Sequence, residues 1–308
     1  MTTADTTAAP NRGLQWLLGI LHGPSQIYFQ QNVFAGILIF AAFFVADWRM
    51  GILAILGAIG GAIGGRLMGF PLSNVATGMQ AFCGTLVGAA VFAALGGEHW
   101  YSYVLGVGGG LVTGPVTWAV NALFTKTALK KYNLPYTTAP FVIVATIIAL
   151  STLALAVKSP PSDYSTEPWS AFWTSTLTNV SQVVLIDNTW SGAIILLALF
   201  ISAWRVGVAA VLGSVLGTVT AIIMGESWSE IANGLANYSG VLTAIALSVT
   251  FLKSSVASWL YSLPWIVITA IVTLLMHRLG LETYTWPYIL TTWVALIVAF
   301  YLGGLKRS

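Results

Sequence analysis

Charge is what this sequence most lacks. Only 7% of its 308 residues are Asp, Glu, Lys or Arg, while 57% are hydrophobic. A soluble domain carries about 25% charged residues, so a water-facing surface is excluded and a polytopic membrane protein remains. Cysteine is nearly missing. Cys83 stands alone, which excludes an intrachain disulfide and any multi-cysteine metal site. Histidine is scarce too. His22, His99 and His277 fall near the ends of apolar segments with no acid and nucleophile around them, so neither an enzyme nor a cofactor is read. Basic clusters are absent: the net charge is +3 and no run exceeds Lys130-Lys131, which argues against a nucleic-acid partner. The opening MTTADTTAAPN lacks the positive start of a cleaved signal peptide and reads as a disordered tail.

What the chain has instead is long apolar runs. A helix needs about 20 apolar residues to cross a hydrocarbon core of roughly 30 Å. Ten candidate spans are read: 26–47, 50–70, 82–96, 101–124, 139–157, 182–203, 206–224, 238–252, 256–276 and 288–304. The short spans 82–96 and 238–252 each follow a polar, Gly-containing piece, SNVATGMQA at 73–81 and SEIANGLAN at 229–237. Those pieces are expected to dip in as half-membrane helices and turn, which backbone tolerates only where protein or a wet cavity covers it. Ten spans put both termini on one side. With cytoplasmic termini, Arg12, Arg66, Lys126, Lys130, Lys131, Arg205, Lys253, Lys306 and Arg307 lie inside, while Arg49, Lys158 and Arg278 lie outside. That bias obeys the positive-inside rule.

The two halves repeat. ADWRMGILAILGAIGG at 46–61 matches SAWRVGVAAVLGSVLG at 202–217, a spacing of 156. The same register pairs Gln26 with Gln182, Asn32 with Asn188, Gly78 with Gly234, Gly84 with Gly240 and Leu86 with Leu242. After a short deletion, LPYTTAPF at 134–141 falls over LETYTWPY at 281–288. Five spans per half is an odd number, so the halves insert with opposite orientations. The reading is an all-α membrane protein of ten transmembrane helices, built as two inverted five-helix repeats, each with a half-membrane pore helix. Its divisions are a disordered tail 1–12, a first repeat 13–157, a connecting loop 158–168, a second repeat 169–304 and a C-terminal tail 305–308. Interrupted segments in matching positions place a solute path at the repeat interface, near the midplane.

Few ionisable groups lie on that path; Asp187, His22 and Glu282 are the nearest, each near a span end. Ion-coupled transporters keep carboxylates or histidines within the membrane, so a neutral solute with no coupled ion is expected. The remaining polar groups are neutral: Gln26, Gln182, Thr138, Thr285 and carbonyls freed at broken helices. Beside them are the aromatics Phe29, Phe82 and Tyr238. A flat slot with apolar walls, edged by acceptors, suits a small planar amide whose N–H donors must stay satisfied outside water. An unmet buried amide costs about 1–3 kcal/mol.

LPYTTAPF fits the LPxxTxPF pattern of the urea transporters. SQIYFQQN (25–32), GMQAFCGTLVG (78–88), SQVVLIDN (181–188) and GLANYSGVLTAIAL (234–247) resemble them too, and the likeness covers roughly 13–304. The resemblance implies a homotrimer in the plasma (inner) membrane, with a passive, channel-like pore for urea in each subunit. Carried over by position, it places Gln26 and Gln182 as acceptors at two outer sites. Phe29 with Phe82 would form one slot, and Leu185 with Tyr238 the other. Leu86, Leu242 and Val183 would narrow the middle, where Thr138 and Thr285 would place hydroxyls. The chain departs from the family pattern in Glu282 for Pro, Tyr288 for Phe, and Leu185 and Tyr238 where Phe is usual. Cys83 and Ser239 stand where Asn is expected, and Gln80-Ala81 and Ala236-Asn237 where an aromatic and Gly are. The alternative is a channel for another small neutral solute: ammonia, formamide, acetamide or water.

Plainer readings stand beside these. The two glutamines bond a neighbouring backbone, the phenylalanines pack, Tyr238 anchors at an interface, and each threonine satisfies its own helix through an i−4 carbonyl. The glycines of GAIGGAIGG (57–65) read as close helix contacts.

Overall fold

The computed structural model describes residues 11–157 and 162–308. Most of the expected tail, 1–10, and residues 158–161 of the expected connecting loop lie outside the described residues. Asn11 and Arg12, read as tail, are instead the cap and first residue of a helix, with Asn11 Oδ1 accepting from the Gly13 N–H at 2.9 Å.

Seven α-helices make the first half: α1 Arg12–Ile27, α2 Val33–Ala46, α3 Trp48–Leu67, α4 Leu72–Ala76, α5 Phe82–Leu95, α6 Trp100–Lys126 and α7 Ala139–Ser151. Seven more follow: α8 Pro168–Gln182, α9 Thr189–Ser202, α10 Trp204–Ile223, α11 Trp228–Ala232, α12 Ser239–Ile245, α13 Val256–Arg278 and α14 Trp286–Leu302. A π turn, Ala246–Thr250, continues α12. Adding 156 to the bounds of α2, α3 and α4 gives those of α9, α10 and α11. Local chemistry repeats with them. Asn32 and Asn188 each cap the following helix through Oδ1, at 2.9 Å. Pro140 and Pro287 each sit in the first turn of a helix, α7 and α14, where a missing N–H costs nothing.

Ten of the described helices are apolar. Four (α3, α6, α10 and α13) have 20 to 27 residues and six are shorter. At 1.5 Å per residue, about 20 residues reach roughly 30 Å, the thickness of a bilayer core.

The expected spans 26–47 and 182–203 are each divided. α1 ends at Ile27 and α2 begins at Val33; α8 ends at Gln182 and α9 begins at Thr189. The helix cannot run through because Phe29 and Leu185 take φ of +62° and +64°, a left-handed conformation uncommon outside glycine. Hydropathy overlooks α8 because its sequence, PWSAFWTSTLTNVSQ, is rich in hydroxyls and amides. Several of those groups find partners inside the bundle: Asn179 Nδ2 donates to Ser214 Oγ at 2.9 Å and Thr218 Oγ1 at 3.1 Å.

Glycine sets the closest approach of the helices. A Cβ on Gly84 of α5 would lie 2.1 Å from the Gly57 carbonyl oxygen of α3, and one on Gly57 would lie 2.1 Å from that of Gly84. The same pair recurs as Gly213 and Gly240. Between the halves, α2 packs against α9, with Ser191 Oγ donating to the Ala42 carbonyl at 2.8 Å. Tyr28 donates to the Val180 carbonyl at 2.7 Å. One buried apolar cluster draws on both halves.

Candidate functional site

Each half brings a broken helix end against a one-turn helix. Gln26, at the end of α1, donates from Nε2 to the Thr77 carbonyl at 2.7 Å, just past α4. Gln182, at the end of α8, does the same to the Asn233 carbonyl past α11, at 2.9 Å. The plainer reading of the glutamines therefore holds for their nitrogens. It also fixes the amide, because a nitrogen committed to a carbonyl leaves Oε1 as the acceptor. The chain then turns at Gly78 and Gly234, with φ of +81° and +80°. Neither glycine has room for a side chain: a Cβ would lie 2.7 Å from the backbone of His22 or of Thr178.

Phe29 lies in the left-handed link after Gln26, half-buried. Its ring meets Phe251 edge-on at 5.1 Å and Tyr288 at 6.0 Å. Phe82, at the start of α5, stacks on Tyr136 at 6.1 Å and 25°. Among the described residues, Phe29 and Phe82 make no ring contact with each other. In the second half, Leu185 is half-buried and Tyr238 is 3% exposed.

Thr138 and Thr285 come one from each half. Their hydroxyls are 2.6 Å apart and buried. Each residue is the N-cap of its helix, and neither side chain caps it. Their hydroxyls join the halves and do not turn back on an i−4 carbonyl. Leu86 and Leu242 are fully buried, as is Val183 to within 1%.

A cavity of about 710 Å³ collects Gln182, Leu185 and Tyr238. Glu226, Glu230, His277, Arg278 and Glu282 also line it, together with Ala94 and Val157 from the first half. Arg278 holds Glu226 at 2.7 Å. Gln26, Phe29 and Phe82 lie outside this cavity. Beyond the spans, the Arg49 side chain bonded to Asp47 keeps that carboxyl below its ordinary range. Burial, with Asp187 adding to it, pushes the Tyr164 phenol up to about 12.

Sequence reasoning missed the partners of the slot residues. The two motif copies carry Tyr136-Thr137 and Thr283-Tyr284, the same pair in reversed order. Where the motif supplies Tyr, the facing ring is Phe: Phe82 on Tyr136, and Phe141 on Tyr284 at 5.5 Å. Where it supplies Thr, the facing ring is Tyr. Tyr238 meets the Thr283 hydroxyl at 2.8 Å. The Tyr288 and Thr137 hydroxyls are both buried, and neither has a hydrogen-bond partner among the described residues. The reversed dipeptide was the signal available in the sequence.

The model of the urea transporter family matches residues 17–300. Urea transporter 1 of Rattus norvegicus is 28% identical over 265 residues, covering 83% of this chain and 69% of that protein. Urea transporter 1 of Mus musculus is 27% identical over 269 residues, with the same 83% and 69% coverage. That of Ovis aries is 26% identical over 267 residues, covering 84% and 69%. A match across nearly the whole chain, over both halves of the repeated architecture, makes this protein a member of the urea transporter family.

Proposed function

We propose that the chain is a passive, channel-like transporter of urea, and not an enzyme. The observation that carries this reading is the duplicated glutamine: Gln26 and Gln182 each give nitrogen to a carbonyl past a one-turn helix and keep Oε1 to accept. Urea is flat and offers N–H donors, so it fits between apolar walls edged by such acceptors. One slot takes Phe29 and Phe82, and the other Leu185 and Tyr238. Thr138 and Thr285 carry the solute past Leu86, Leu242 and Val183. The scarcity of buried charge supports passage without a coupled ion. The urea transporter 1 proteins it resembles point to the same solute.

The finer architecture belongs to this reading. Ten membrane helices form two inverted five-helix repeats, and α4 and α11 are the half-membrane elements. Both termini are cytoplasmic, the membrane is the plasma (inner) membrane, and the assembly is a homotrimer. Two clusters support the orientation. Arg278, Val157 and Glu226 border one cavity, as residues of a common outer face would. On the other side, the Lys253 N–H donates to the Lys306 carbonyl at 2.8 Å, and Arg307 reaches the Asn133 carbonyl.

Flux through proteoliposomes tests the slot. Gln26→Ala is expected to slow urea by about tenfold, the effect of roughly one lost hydrogen bond in a low-dielectric path. Phe82→Ala is expected to raise acetamide passage relative to urea. Unchanged flux and selectivity in both variants contradict the assignment.

A further inference from the structure

The second slot carries Tyr238 where the first carries Phe82. A phenol in such a wall is a hazard, because a loose hydroxyl would hold each passing solute. Here the hydroxyl is occupied. Tyr238 donates to the Tyr284 carbonyl. Its oxygen also lies 2.8 Å from Thr283 Oγ1, which in turn lies 2.9 Å from His277 Nε2. The direction of this chain follows from counting hydrogens. A carbonyl only accepts, and a phenol has one hydrogen to give. Tyr238 therefore accepts from Thr283. The single hydroxyl hydrogen of Thr283 is then spent, so Thr283 accepts from His277, whose Nε2 must carry a hydrogen.

We propose that His277 is a positioning residue for the second slot. Acting through Thr283, it holds the Tyr238 hydroxyl against the Tyr284 backbone, so that the tyrosine presents only its ring face to the path. The inference rests on reading Gln182, Leu185 and Tyr238 as a solute slot. The first half needs no such device. There Phe82 has no hydroxyl, and Tyr136 donates to the Met79 carbonyl at 3.1 Å.

His277 borders the 710 Å³ cavity together with Glu226, Glu230 and Glu282 and the Arg278 guanidinium. A proton added as pH falls goes to Nδ1 and leaves the Nε2–H in place. The chain therefore survives in both charge states, and urea flux is expected to stay level between about pH 5 and 8, the range in which histidine titrates. A flux that falls on acidification in the wild type but not in Tyr238→Phe would overturn the assigned direction.

A double-mutant cycle provides the main test. His277→Leu is expected to slow urea by about fivefold in the wild-type background and to have no effect in Tyr238→Phe, where there is no hydroxyl to hold. His277→Gln, which keeps a side-chain N–H donor, is expected to match the wild type. Equal losses in both backgrounds, or a silent His277→Leu in the wild type, overturn the proposal. Melting temperatures of the same variants read the chain without any solute: coupling between positions 238 and 277 is expected, and strict additivity overturns it. A wild-type protein that passes no urea would overturn the proposed function instead, while the melting cycle still decides the chain.

Discussion

Thr138 and Thr285 spend their hydroxyls on each other, 2.6 Å apart at the seam between the halves. Thr138→Val keeps the side-chain shape but strands the Thr285 hydroxyl in a buried site. An unmet buried hydroxyl costs about 1–3 kcal/mol, so the single variant is expected to melt lower. Thr138→Val with Thr285→Val should cost less than twice as much, because neither hydroxyl is then left alone. Urea flux should fall in both, since the solute loses its polar step. Full additivity of the two melting shifts would contradict the pairing. The recurrence of these threonines was legible from the motif copies. Their contact was not, because it joins residues 147 apart through two links whose course the sequence does not reveal. The exchange of Tyr and Thr between the copies is similar: the letters were visible, but their partners depend on which ring faces which link.

At the scale of helices, close packing is set by glycine. Gly84→Ala would push a Cβ to 2.1 Å from the Gly57 carbonyl oxygen, whereas Gly240→Ala would meet that of Gly213 at 3.0 Å. Backbone cannot give way as a side chain can, so α3 and α5 must separate. Overpacking of this kind costs about 1–3 kcal/mol, and Gly84→Ala is expected to lower the melting temperature more than Gly240→Ala. The opposite order would contradict the packing described for the two pairs. Hydropathy located the centres of α3, α6, α10 and α13 well, because each is a long apolar run. It ran the first span of each half, 26–47 and 182–203, through a break and passed over α1 and α8. The polar face of α8 and the left-handed residues at 29 and 185 are set by tertiary contacts, which hydropathy does not register.

Across the whole molecule, the repeat and the scarcity of charge act together. A duplicated unit supplies the same acceptor, the same turn and the same threonine twice, and on the proposed reading these make a track whose ends resemble each other. The proposed track has no carboxylate or histidine at its centre with which to couple an ion. Such a path should run at a rate set by the solute gradient alone. The all-helical membrane class and a neutral solute were readable at this scale because they follow from composition, while urea itself was legible only through the resemblance carried by LPYTTAPF. The 710 Å³ cavity was not readable, since it forms from residues of both halves.

The most direct test is stopped-flow light scattering on proteoliposomes of the purified wild-type protein. After osmotic shrinkage, urea should drive fast reswelling that saturates only at high concentration and is indifferent to proton or sodium gradients. Reswelling at the rate of protein-free liposomes, or reswelling that needs an ion gradient, would contradict the account.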